Sequence, residues 1–230
     1  MKSLKRIFYT NRKMIILNFI MVVAAGFFGF FLHDILIAID SDEDQTVFPL
    51  GTMMIYFMIV AYTIFVTYQY GTVRFNMNVS AGQTRKSFIR EQGLLRIALV
   101  LADQLLAFGM TQLELWKFRT FYASYPIEGA KILEVLYSAK AVFIVTLGTL
   151  SLSMLIMAVA LKIGANANIV VLVLYFMALA LFAKIADIMD TVGAQFLSAN
   201  IYQNIYNVLA LLFAVGVFVA MMMIRREKVA

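Results

Sequence analysis

A succession of long apolar runs restricts this chain more than any other feature. Met14–Leu32 holds nineteen residues with Asn18 as its one strongly polar side chain. A helix rising about 1.5 Å per residue needs about 20 apolar residues to cross the hydrocarbon core of a bilayer. Comparable runs follow at 48–70, 94–110, 139–162, 169–186 and 205–224. Pro49 opens the second of them, where the first turn of a helix accepts proline. The pattern predicts an all-α membrane protein, a single transmembrane domain over 1–230 with six spanning helices. The first run is too long for a typical signal-peptide core and more spans follow it, so it reads as a retained helix. Within it Ala25 and Gly29 form a small-xxx-small pair, the spacing that lets a second helix approach closely.

Composition agrees with this reading. The chain is 63% hydrophobic and 14% charged, against about 25% charged in soluble domains, so a water-soluble surface could not be assembled from it. There are no cysteines, which excludes disulfides, thiolate metal sites and cysteine nucleophiles. The formal net charge of +6 has to be placed relative to the membrane before it is read as affinity for nucleic acid.

Between the apolar runs lie polar segments of distinct character. Met1–Lys13 sets Leu4, Ile7 and Phe8 at helical spacing on one side and basic residues mostly on the other, the pattern of an in-plane amphipathic helix. His33–Gln45 is acidic and reads as a solvated outer loop, and Thr111–Tyr137, rich in rings, as a segment riding the headgroup layer. Residues 185–204 are too polar to span, yet carry apolar residues near helical spacing around Gly193, which predicts short outer helices dipping back into the membrane. Gly71–Gly93 is the longest polar and basic interruption. With both termini cytosolic, fourteen of the nineteen Lys and Arg fall inside, and only Lys117, Arg119, Lys131, Lys140 and Lys184 fall outside. The positive-inside rule selects that orientation. The basic charge is thereby a topology signal, with no nucleic-acid partner inferred.

Few residues are candidates for chemistry. His33 is the only histidine, and a metal or acid–base site needs more convergent groups than His33 and Asp34 supply. Ser151, Ser153 and Thr149 have no second histidine to activate them, and such hydroxyls bond the preceding helical turn or a neighbouring helix. The acidic run 40–44 lacks the glycine and terminal glutamate of a calcium loop. Asp103, beside Gln104 in the third run, is costly at mid-membrane and points to a translocation path or a structural anchor. Arg96 lies seven residues earlier, about two turns away, so direct pairing requires both side chains to stretch. No phosphate-binding loop is present, since GQTRKS at 82–87 lacks the glycine cradle after a strand. ATP, if used, is bound by another chain.

This layout resembles the permease subunits of the ABC type-2 exporter class. Ser80–Phe88, SAGQTRKSF, is similar to the G-x-TRK-x-F wording of small bacterial members. The resemblance implies a coupling helix over Arg74–Phe88 between spans two and three, with Arg74, Asn78, Gln83, Thr84, Arg85 and Lys86 meeting an ATP-binding partner and Phe88 as its apolar knob. It implies a dimer of permeases in the cytoplasmic membrane of a bacterium, with two ATP-binding subunits holding ATP and magnesium. Export of a hydrophobic or amphipathic substrate such as an antimicrobial or toxin-like peptide, a lipid or a drug would follow, with no covalent chemistry in this chain. A membrane component of a vitamin importer and, more distantly, a membrane enzyme are the other readings.

Overall fold

The computed structural model describes residue 9 and residues 11–39, 47–123, 137–163 and 199–226, and among these residues there are five helices and no strand. They are α1 (Arg12–Ile39), α2 (Leu50–Ser80), α3 (Arg85–Phe121), α4 (Ala139–Ile163) and α5 (Ala199–Arg226). α1, α3, α4 and the Tyr206–Arg226 part of α5 are long and apolar enough to cross a membrane. Most of the predicted in-plane segment Met1–Lys13, the fifth run at 169–186 and most of the predicted outer helices, 185–198, lie outside the described residues, while Arg12 and Lys13 open α1.

Four helices differ in their bounds from the sequence reading, for one reason: polarity weakens a claim on lipid but does not end a helix, so that α2 runs on past Tyr70 to Ser80. α1 continues past Leu32 to Ile39, because neither glycine nor proline interrupts Ile35, Leu36 and Ile39. α3 has 37 residues and absorbs both ends of the 94–110 run. The stretch 111–121, predicted to ride the headgroups, is its last three turns, built from good helix formers such as Leu113, Glu114, Leu115 and Lys117. Ala199–Asn204, expected among the outer helices, opens α5.

The chain packs as two compact units, one comprising Met1–Val66 and Arg90–Thr149, the other Thr67–Ile89 and Leu150–Ala230. In the first unit Val22, Ile55, Ile59, Val100, Ala107 and Met110 form a core joining α1, α2 and α3. A second cluster, Met14, Tyr62 and Leu95, lies under a hydrogen bond from the Tyr62 hydroxyl to the Met14 carbonyl at 3.0 Å. α1 and α2 come close enough to exclude side chains between them. A Cβ on Gly29 would lie 2.7 Å from Gly51 Cα, and one on Gly51 would lie 2.7 Å from the Gly26 carbonyl oxygen. Ala25 is buried, but Gly26 and Gly29 are the residues that meet Gly51.

In the second unit Phe75, Phe88, Ile89, Met154, Met157, Ala158, Ala220 and Ile224 form one core from four helices. Gly216 leaves room there for the Ser151 side chain. The α4 hydroxyls bond the preceding turn of their own helix, Thr149 to the Val145 carbonyl at 2.7 Å and Ser153 to the Leu150 carbonyl at 2.9 Å.

Candidate functional site

The basic interruption is a helical hairpin. α2 stops at Ser80, Ala81–Thr84 turn the chain, and α3 begins at Arg85. The stop is a Schellman cap. Gly82 takes φ +87°, its N–H donates to the Val79 carbonyl at 3.1 Å, and the Gln83 N–H donates to the Asn78 carbonyl at 2.8 Å. Thr84 then starts α3 by accepting the Ser87 N–H on its hydroxyl at 3.3 Å. SAGQTRKSF is thus a helix stop and a helix start in sequence, held to a fixed geometry by backbone bonds.

This corrects two expectations. Arg74–Phe88 is not a separate helix but the last turns of α2, a four-residue turn and the first turn of α3. Phe88 is not an exposed knob. It is fully buried, with its ring edge-on to Phe75 at 5.4 Å between centroids, because α3 begins early enough to turn it into the core. Thr84 and Lys86 are exposed, while Arg74, Asn78, Gln83 and Arg85 are half-buried. Arg85 donates from Nη1 to the Arg225 carbonyl at 3.2 Å, at the carboxyl end of α5.

Asp103 is buried on α3 and its partner is on α1. The Asn18 amide donates to both of its carboxylate oxygens, at 2.7 and 3.0 Å. Gln104, the next residue, faces α4, where its amide nitrogen donates to Thr146 Oγ1 at 3.0 Å. Thr146 already gives its own proton to the Val142 carbonyl at 2.8 Å, so it can only accept from Gln104. Asp103 and Gln104 therefore tie α3 to two different helices and do not converge on one site.

A larger polar network, not anticipated as a unit, holds the far end of α3. The buried Glu114 carboxylate accepts from Gly51 N at 2.6 Å, Thr52 N at 3.0 Å and Thr52 Oγ1 at 2.6 Å. These are N–H groups of the first turn of α2, which Pro49 cannot cap because it has no side-chain acceptor. Thr52 lies 2.8 Å from Thr111, and Thr111 2.5 Å from the Tyr137 hydroxyl. One turn along, Lys117 donates to the Phe30 carbonyl at 2.8 Å, pairs with Asp34 at 2.5 Å and sits 4.1 Å from the Phe30 ring centroid. The Tyr122 hydroxyl donates to the same Asp34 oxygen at 2.7 Å.

His33, expected in a solvated loop, is buried in α1 among the rings of Phe48, Phe118 and Tyr122. Its Nδ1 is 3.8 Å from Asp34, too far for a hydrogen bond. The signal that could have found this network was Lys117 and Glu114 at i+3 spacing on one helical face, obscured once the third helix was ended at Met110.

Among the described residues no three His, Cys, Asp or Glu side chains converge to hold a metal ion. Asn18–Asp103, Gln104–Thr146, the Glu114 cluster and Lys117–Asp34 match polar groups across helices, the arrangement of structural anchors, while the His33 ring nitrogens, the Tyr56 hydroxyl and Gln104 Oε1 are buried without a hydrogen-bond partner among the described residues. The hairpin turn instead presents cations outward. No protein-family model matches this chain, and neither does any curated protein or any solved structure.

Proposed function

We propose that the chain is the permease subunit of an ATP-driven exporter of the ABC type-2 class, a six-span protein of the cytoplasmic membrane with both termini in the cytosol. One observation carries the reading: the α2–α3 turn is short, fixed by a Schellman cap and a threonine cap, and rooted through Phe75 and Phe88 in a core that also holds α4 and α5. A soluble motor can move spanning helices only through an element that is both stiff and attached to them. Arg85 and Lys86 offer it cations, and Phe88 carries the displacement inward instead of touching the partner. The partners are two ATP-binding subunits, which hold ATP and magnesium, and a second permease; the substrate is hydrophobic or amphipathic.

The absence of cysteine makes the test direct. A benzophenone attached at Gln83→Cys should crosslink to an ATP-binding-cassette subunit encoded beside this chain, while the same label at Leu212→Cys should not. Arg85→Glu with Lys86→Glu should reduce transport-linked ATP hydrolysis by about fivefold or more, because reversed charges repel where the native pair attracts. Failure of Gln83 to reach such a subunit, with hydrolysis unchanged in the double variant, would remove the exporter reading.

A further inference from the structure

The described residues of the second unit contain six cations, Arg74, Arg85, Lys86, Lys162, Arg225 and Arg226, and no Asp or Glu. Lys162 is in the last turn of α4, Arg225 and Arg226 are in the last turn of α5, and Arg85 and Lys86 are in the first turn of α3. These helix ends are brought together. Leu161 and Ile224 belong to the core that surrounds Phe88, and Arg85 is held on the Arg225 carbonyl.

Topology alone does not require such gathering. The positive-inside rule is satisfied by cations scattered over any cytosolic loop, whereas here a main-chain bond holds the Arg85 guanidinium beside the residue that carries the Arg225 guanidinium. Like charges gathered this way repel unless something offsets them. Among the described residues Arg85, Lys86, Lys162, Arg225 and Arg226 make no ion pair with an acid, whereas Lys117 of the first unit is paired with Asp34. Lys86, Lys162, Arg225 and Arg226 are all exposed. Glu227 and Lys228, next in the sequence, cancel in charge.

The position narrows the anion. These residues cap an apolar helix, Tyr206–Arg226, long enough to cross a membrane, whose exposed surface includes Val215, Phe218 and Met222. A ligand at its end meets cations on one side and hydrocarbon-facing side chains on the other. We propose that this end of the second unit, built from the α2–α3 turn and the carboxyl ends of α4 and α5, binds the phosphate of an anionic phospholipid. Arg85 and Arg225 are at its centre, with Arg226, Lys86 and Lys162 around them. Guanidinium groups suit a phosphodiester because their paired N–H donors match two of its oxygens. The acyl chains then lie along the apolar face of α5.

The test needs this chain alone, so it is independent of the exporter reading. The full chain is purified in detergent and mixed with phosphatidylglycerol, with phosphatidylcholine of the same acyl chains, or with inorganic phosphate. Retained lipid is counted by native mass spectrometry and the unfolding midpoint is recorded. Phosphatidylglycerol should be retained and should raise the midpoint, and the other two should not. Arg226→Gln and Lys162→Gln, exposed positions that leave the core intact, should each weaken retention by about fivefold. Arg225→Lys, which keeps the charge but loses the paired donors, should weaken retention and Arg225→Gln should weaken it further, and high salt should reduce it. Arg119→Gln, in the first unit, should change nothing.

Equal retention of the two lipids overturns the proposal. Selectivity that survives in Arg226→Gln with Lys162→Gln places the lipid elsewhere and overturns the site. An equal midpoint rise with inorganic phosphate removes the lipid assignment, and selective capture of an acidic protein in place of phosphatidylglycerol makes the surface a protein contact.

Discussion

Gly82 shows how a single backbone angle fixes the hairpin. At φ +87° any residue with a Cβ is strained, yet nothing lies within 4 Å of where that Cβ would be, so the penalty is purely conformational. Gly82→Ala should therefore destabilise the protein by about 1 kcal/mol, and Gly82→Asn by less, since asparagine tolerates the left-handed region; thermal unfolding in detergent reads both. Asn18 and Asp103 supply the second residue-scale prediction. Asn18→Leu leaves a buried carboxylate without its two donors and should cost about 2 kcal/mol. Asn18→Leu with Asp103→Leu should recover a good part of that, giving a coupling of about 1 kcal/mol in a double-mutant cycle. Additive effects would mean that the pair in the structure is not held in solution. Both residues were visible in the sequence as polar interruptions of apolar runs, Asn18 alone and Asp103 beside Gln104. Their pairing was not, because separation along the chain says nothing about which helices become neighbours.

At the scale of the element, the start of α2 is assembled from parts of three helices. Gly29 of α1 lets the backbone of Gly51 approach, and Glu114 of α3 then reaches the two N–H groups that the proline start leaves open. Gly51→Ala would place a Cβ 2.7 Å from the Gly26 carbonyl oxygen and 2.9 Å from the Glu114 carboxylate, so the helices must part. Glu114→Ala strands two buried N–H donors and a hydroxyl and should cost about 2–3 kcal/mol, with Glu114→Gln milder because the amide oxygen still accepts. Unfolding by urea in detergent would rank them, and a neutral Glu114→Ala would show that water or another group takes over the cap. The sequence carried half of this element. Gly29 was legible from its spacing and Pro49 from its position. Gly51 was hidden inside an expected span, and Glu114 in a stretch whose polarity argued against helix although its propensities argued for it. The hairpin turn was the reverse case, since glycine and threonine at the right spacing specify stop and start but do not say that Phe88 will face inward.

The whole chain is constrained by where its helix ends meet. α4 runs antiparallel to α3, because Tyr137 meets Thr111 and Thr146 meets Gln104, so later residues of one face earlier residues of the other. The carboxyl end of α4 therefore lies toward the amino end of α3, and its Met154, Met157 and Ala158 share a core with Phe88. The carboxyl end of α5 is fixed at the same place by the bond from Arg85 to the Arg225 carbonyl. Two helices that end on one side cannot be joined in sequence without a return to the other side, a distance of about 30 Å for Tyr206–Arg226 at 1.5 Å per residue. On the proposed six-span arrangement, the apolar run 169–186 makes that return. Single cysteines in this cysteine-free chain should then divide by side. Gln83→Cys and Asn166→Cys should react with a membrane-impermeant maleimide only after the cytosolic face is opened, and Asp42→Cys and Ser198→Cys in intact cells. If Asn166 and Ser198 react from the same side, the run between them does not cross, and the six-span arrangement fails with it.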